Sequence, residues 1–201
     1  MAGNFDKEYY IGFSQIQAGV PLLSVSKFES GYIDLDLETD EPYNVKLIEF
    51  AFKEPYPKNP LMLDVLCKSG GNFVISKKLY NILSPLKLDG IQMIGSTVYD
   101  PNNKKKYEDY YYVHIYNIIN CLDMEKAKYE RSVIGTIRTI NKMVLDENIL
   151  SKIPLEKRLI FRLGEIFTFQ LFHESVVEKL NIQQGIRFVK VENYTFGSIM
   201  G

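Results

Sequence analysis

Apolar and polar positions alternate with period two over residues 32–38, where Asp34, Asp36 and Glu38 interleave with Ile33, Leu35 and Leu37. That pattern predicts a strand with one wet face. Residues 9–13 form a short apolar run closed by Gly19 and Pro21, and residues 44–52 form a second candidate strand. Pro55, Pro57 and Pro60 then break any regular element. The strongest strand signal lies at 107–116. Tyr111, Val113 and Ile115 make one apolar face, while Tyr110, Tyr112, His114 and Tyr116 make an aromatic face that also carries hydroxyls and an imidazole. Residues 100–106 before it have the composition of a hairpin loop, and 122–128 after it read as turn or short helix. A further strand at 136–144 leads to a helical or loop segment at 146–155.

Two stretches share a pattern. In the first, Phe73, Val74 and Ile75 form a brief strand and Ser76 is a helix cap. Leu79, Ile82, Leu83 and Leu86 then fall on one helical face, Gly90 ends the helix, and residues 91–94 resume as a strand. In the second, residues 167–171 precede a helix with Val176, Val177 and Leu180 inward, and Gly185 opens a strand at 186–191. Phe172 is expected where the first copy has Ser76. Each glycine supplies the positive φ with which a chain leaves a helix for a strand. The predicted fold class is α+β and strand-rich. Two related strand-helix-Gly-strand units pack as one two-lobed domain, with a β-rich region at 1–60, a first unit at 61–120 carrying the Tyr-rich strand, and a second at 121–201.

Composition narrows the function. The 201 residues are 46% hydrophobic and 24% charged, as in an ordinary globular protein, with 24 basic and 25 acidic residues for a net charge of -1. A globally basic nucleic-acid binder or polybasic membrane-surface protein is not expected. The N-terminal residues lack the basic-then-apolar order of a secretory signal, and no apolar run is long enough for a membrane span, so a cytoplasmic location is expected. Two cysteines and two histidines leave little for a disulfide scaffold, a zinc site or a nucleophilic triad. The loop Ser69-Gly70-Gly71 lacks the lysine and hydroxyl of a P-loop, and Cys121 with His114 reads as a core thiol beside a strand histidine rather than as a nucleophile and its base. No cofactor, no metal and no catalytic residue are expected. What the average hides is local: Glu29, Asp34, Asp36, Glu38, Asp40 and Glu41 place six acids in thirteen residues with no lysine or arginine among them. Such a patch steers a basic partner, including an enzyme whose active site evolved for nucleic acid, although acids on a strand face also serve simply as a solvated edge.

The order of several segments resembles immunity protein family eleven of bacterial polymorphic toxin systems. The resemblance is carried by Leu63-Asp64-Val65-Leu66, Phe73-Val74-Ile75-Ser76, Gly90-Ile91-Gln92-Met93, Tyr107-Glu108-Asp109-Tyr110-Tyr111, Cys121-Leu122-Asp123-Met124, Ile160-Phe161-Arg162-Leu163 and Gly185-Ile186-Arg187-Phe188, over roughly residues 60 to 191. It implies a non-enzymatic antidote that binds a cognate toxin protein and occludes its active site. Glu29, Asp34, Asp36, Glu38, Asp40 and Glu41, together with Tyr110, Tyr112 and His114, are the expected partner-binding residues. A small-molecule- or peptide-binding regulatory module, with a pocket between the two lobes, is the alternative. A carboxylate-based hydrolase is the third reading, and it requires an acid with a perturbed titration in a cleft.

Overall fold

The computed structural model describes residues 4–15, 17–28, 39–68, 72–180 and 184–199. The strand expected at 32–38, and with it Glu29, Asp34, Asp36 and Glu38, lies outside them. A short helix α1 (Asn4–Glu8) leads into β1 (Tyr9–Ser14). Then come β2 (Leu23–Phe28), β3 (Leu47–Phe52), β4 (Val65–Cys67), β5 (Phe73–Ser76), α2 (Lys77–Leu83), β6 (Ile91–Asp100) and β7 (Lys105–Ile115). The second half comprises β8 (Ile118–Ile119), β9 (Lys128–Arg131), β10 (Ile137–Lys142), α3 (Glu147–Leu150), β11 (Ile160–Leu163), β12 (Gln170–His173), α4 (Glu174–Leu180) and β13 (Ile186–Lys190). Strands dominate and helices are short, so the fold is α+β as the pattern predicts.

The strands form a six-stranded sheet in the order β2-β3-β6-β7-β5-β4, a five-stranded sheet in the order β13-β1-β12-β11-β8, and a separate two-stranded ribbon of β9 and β10. The repeated pattern in the sequence has a topological counterpart. In the first sheet β5 and β6 are both antiparallel to β7. They are therefore parallel to each other, joined through α2, with β7 inserted between them. In the second sheet β12 and β13 are both antiparallel to β1 and are joined through α4. Outside β5 lies antiparallel β4, and outside β12 lies antiparallel β11. The sets β6-β7-β5-β4 and β13-β1-β12-β11 thus share order and direction. The inserted strand follows its unit in the first copy but comes from the N-terminus in the second. Residues 1–60 are consequently shared between sheets, since β1 sits inside the second while β2 and β3 extend the first.

One register differs from the sequence comparison. Ser76 caps α2, its Oγ accepting the Leu79 N–H at 3.5 Å. The matching position before α4 is His173, whose Nδ1 accepts the Ser175 N–H at 3.2 Å. Phe172 is one residue too early, and as an inward strand position it packs in the core instead. Both helices span seven residues.

Strand alternation gives each sheet two buried faces. Val113 and Ile115 of β7, Phe73 and Ile75 of β5, Leu79 and Leu83 of α2, and Phe172, Val176 and Leu180 of the second unit share one apolar core. The opposite face of the first sheet buries Ile48, Phe50, Val74, Val98 and Tyr112. That of the second buries Tyr9, Ile11, Phe161, Leu163 and Leu171 beneath residues 119–150. The two glycine turns lock the units together. Gly90 has φ +65 and a Cβ there would lie 2.3 Å from Asn117 Cβ, while Gly185 has φ +98 and a Cβ would lie 2.1 Å from the Val65 carbonyl oxygen. Each turn therefore needs glycine twice, for its backbone angle and for its close approach.

Candidate functional site

The surface carries an open cleft of about 620 Å³. It forms where the chain crosses from one sheet to the other. The Tyr116 and Asn117 N–H groups donate to the Gly90 carbonyl at 2.9 and 3.1 Å, which fixes the crossing against the glycine turn of the first unit. The Asn117 side chain donates to the carbonyls of Lys157 and Ile160 at 2.8 and 3.1 Å, so its amide is structural. The far wall is the turn at Gly164, whose N–H donates to the Ile119 carbonyl at 2.9 Å. Asp40, Asp89, Tyr116, Asn120 and Phe167 complete the lining. Two exposed carboxylates and two aromatic rings around one opening can accept a lysine or arginine side chain, because carboxylates pair with the cation and ring faces attract it.

Asp40 is held over this cleft by residues that the sequence grouped with it for another reason. Glu41 follows it, and the Glu41 carbonyl accepts a hydrogen bond from His114 Nε2 at 2.9 Å. Since a carbonyl only accepts, Nε2 carries a proton, and burial favours the neutral ring with that tautomer. Burial is the main cause of a pKa below the ordinary 6.5, and the Arg162 cation lowers it further. The His114 Nδ1 has no hydrogen-bond partner among the described residues. Tyr43 lays its ring 4.2 Å from the imidazole, centroid to centroid. Its backbone N–H and carbonyl pair with the Gln92 side chain, both at 2.8 Å. The exposed acids Asp40 and Glu41 are thus fastened at one end of the acidic run by a buried histidine and an amide.

The aromatic stripe itself is not a surface. Tyr112 and His114 are 0% exposed and Tyr110 is also buried, which corrects their expected role as contact residues. A polar edge on an aromatic side chain made them candidates for an interface, but both tyrosine hydroxyls and His114 Nε2 find their partners inside. The Tyr110 hydroxyl donates to the Leu63 carbonyl at 3.1 Å, and burial pushes its pKa up to about 12. The Tyr112 hydroxyl accepts from Asn72 Nδ2 at 2.5 Å. Asn72 Oδ1 in turn accepts from Arg162 Nη2 at 2.6 Å. Arg162, on β11, is wholly buried. This polar chain crosses from the second sheet to the first, and it explains why the stripe faces inward.

The two rival readings meet specific geometry. In the shared apolar core between the two units lies a void of about 30 Å³, entirely apolar and lined by Val65, Phe73, Leu79, Val113, Phe172 and Leu180 among others. That is room for about one water molecule and not a ligand pocket. Glu165 is an acid whose pKa is raised, with burial the principal cause. Its Oε1 accepts the Leu122 N–H at 3.1 Å, so its placement serves the backbone of the next segment. Among the described residues no group of three or more His, Cys, Asp or Glu could hold a metal ion, and no helix is long and apolar enough to cross a membrane.

Asp89, Asn117, Asn120 and Phe167 line this candidate site and were not singled out by the sequence pattern. The signal lay in the polar residues flanking Gly90 and Gly164, which becomes informative only when both turns are seen on one opening. No curated protein matches the chain at significance. A family model, the immunity protein family (Imm11), matches residues 40–193, beginning at the aspartate above the cleft. That match covers about three quarters of the 201 residues, and on it the chain belongs to the Imm11 immunity protein family.

Proposed function

We propose that this chain is a non-enzymatic cytoplasmic antidote that binds a cognate bacterial toxin and covers the toxin's active site or substrate path. Membership of the immunity protein family carries the reading. The acidic segment is the contact surface we assign, with Asp40 and Glu41 as its described members, both exposed. A toxin that acts on nucleic acid presents a basic site, and an acidic patch speeds its encounter and opposes wrong partners. The cleft beneath Asp40 then receives a basic side chain of the toxin between Asp40 and Asp89. The chain acts in this reading as one domain.

The test is co-expression with the toxin domain encoded in the adjacent reading frame. The wild-type chain restores growth and binds that domain. The double variant Asp40→Lys/Glu41→Lys binds about 10-fold more weakly, mainly through a slower association rate and a shallower salt dependence. Unchanged rates and protection would remove the acidic segment from the interface. The cleft also supports a peptide-binding module as a second reading. That reading predicts micromolar affinity for short arginine- or lysine-containing peptides without any toxin, and loss of that affinity in Asp89→Asn.

A further inference from the structure

The ribbon of β9 and β10 ends in a turn that exposes Val133 and Ile134 to 105% and 82% of their reference areas. Solvent-exposed turns ordinarily carry Gly, Asn, Asp or Ser, because those residues supply the turn geometry and stay hydrated. Here two adjacent aliphatic side chains occupy the tip. The turn is nonetheless well bonded. The Ser132 N–H donates to the Thr136 carbonyl at 2.8 Å and the Gly135 N–H to the Ser132 carbonyl at 3.0 Å. The Ser132 and Thr136 hydroxyls meet at 2.8 Å, and Arg131 Nη1 donates to the Gly135 carbonyl at 2.6 Å. The base is anchored by buried Ile140, whose carbonyl accepts from the Tyr194 hydroxyl at 3.2 Å. The stem is basic: Lys128, Arg131, Arg138 and Lys142 are exposed and only Glu130 opposes them, which gives residues 128–142 a formal charge of +3 in a chain of net charge -1.

We propose that this hairpin is a preformed plug whose Val133–Ile134 tip enters an apolar pocket with an acidic rim on the toxin. The inference rests on the toxin-binding reading and adds a second contact of opposite sign to the acidic segment. Stiff β-branched side chains on a bonded turn lose little freedom when they are buried, so the tip suits a hot spot. Two surfaces of opposite charge on one antidote also fix the orientation of its partner. The charge of the stem selects an acidic partner. An anionic membrane would match that charge, but the two side chains together present about half the carbons of a myristoyl chain, which by itself anchors only marginally.

Titration of the full-length chain against the toxin domain encoded in the adjacent reading frame decides the matter. Val133→Asp/Ile134→Asp keeps its melting temperature, because both side chains are in water, and loses about 30-fold or more in affinity, mostly as faster dissociation. Lys128→Glu/Arg138→Glu slows association instead. If the wild-type chain binds and the tip variant binds equally well, the plug is refuted while the toxin reading stands. If the wild-type chain neither binds nor protects, both are refuted. Two further results overturn the plug in favour of another occupant. One is a dimer in the wild type that the tip variant dissociates. The other is co-sedimentation of the wild type, but not the tip variant, with phosphatidylserine vesicles.

Discussion

A neutral, buried imidazole makes stability respond to pH. His114 and His173 both have native pKa values below the ordinary 6.5, and burial is the main cause for each. As pH falls past about 6.5 the unfolded chain therefore takes up protons before the native one does. The stability contributed by the neutral rings is present above that pH and is lost below it. Glu165 works in the opposite sense. Its carboxyl is raised above the ordinary 4.5, so the native state holds that proton more tightly and gains stability as pH drops through the raised value. His114→Gln keeps an N–H donor for the Glu41 carbonyl and removes the titration. The wild-type urea midpoint is expected to fall between pH 7 and pH 5, and that of the variant to fall less. Parallel profiles would mean that the imidazole is hydrated or charged in the native state. Nothing in the sequence around His114 announces this role, since a histidine at an even strand position reads equally well as surface or core until its neighbours are known.

At the scale of elements, the two units are held by turns that tolerate only glycine. Gly185 and Gly135 both have positive φ, at +98 and +88. They differ in surroundings. A Cβ at 185 would overlap the Val65 carbonyl oxygen, whereas at 135 nothing lies within 4 Å. Gly135→Ala therefore costs about 1 kcal/mol from backbone conformation alone. Gly185→Ala costs about 1–3 kcal/mol more, because β4 must shift or give up its bond from the Val65 N–H to the Gln184 carbonyl at 3.0 Å. Chemical denaturation of the two variants separates the terms, and equal losses would mean that β4 yields freely. The strand-helix-glycine-strand pattern was legible because it is local: a cap, a helical face and a glycine lie within about twenty residues of one another. The ribbon strand β9 was not legible. Its sequence Lys128-Tyr129-Glu130-Arg131 carries no apolar alternation, and it is a strand because β10 supplies a partner.

For the whole molecule, the Arg162–Asn72–Tyr112 chain is a buried side-chain link between the two sheets. Arg162→Met removes a charge-assisted bond and leaves Asn72 Oδ1 without that donor in the interior. Stability should drop by roughly 2–3 kcal/mol in urea unfolding, and a loss under 1 kcal/mol would show that the cluster rehydrates. Hydrophobic periodicity, turn residues and composition by themselves determined the α+β class, the Val113 and Ile115 face of β7, the inward faces of both repeat helices, and the two glycine turns. They could do so because each depends on residues near in sequence. Tertiary structure alone decided three other matters. It placed the N-terminal strand β1 inside the second sheet between β13 and β12, a pairing across some 160 residues that periodicity does not encode. It turned the Tyr110, Tyr112 and His114 face inward, because strand alternation separates two faces without saying which of them water reaches. It left Val133 and Ile134 outside for the same reason: an apolar side chain is buried only when the fold brings something to cover it, and here the hairpin tip reaches past every neighbour.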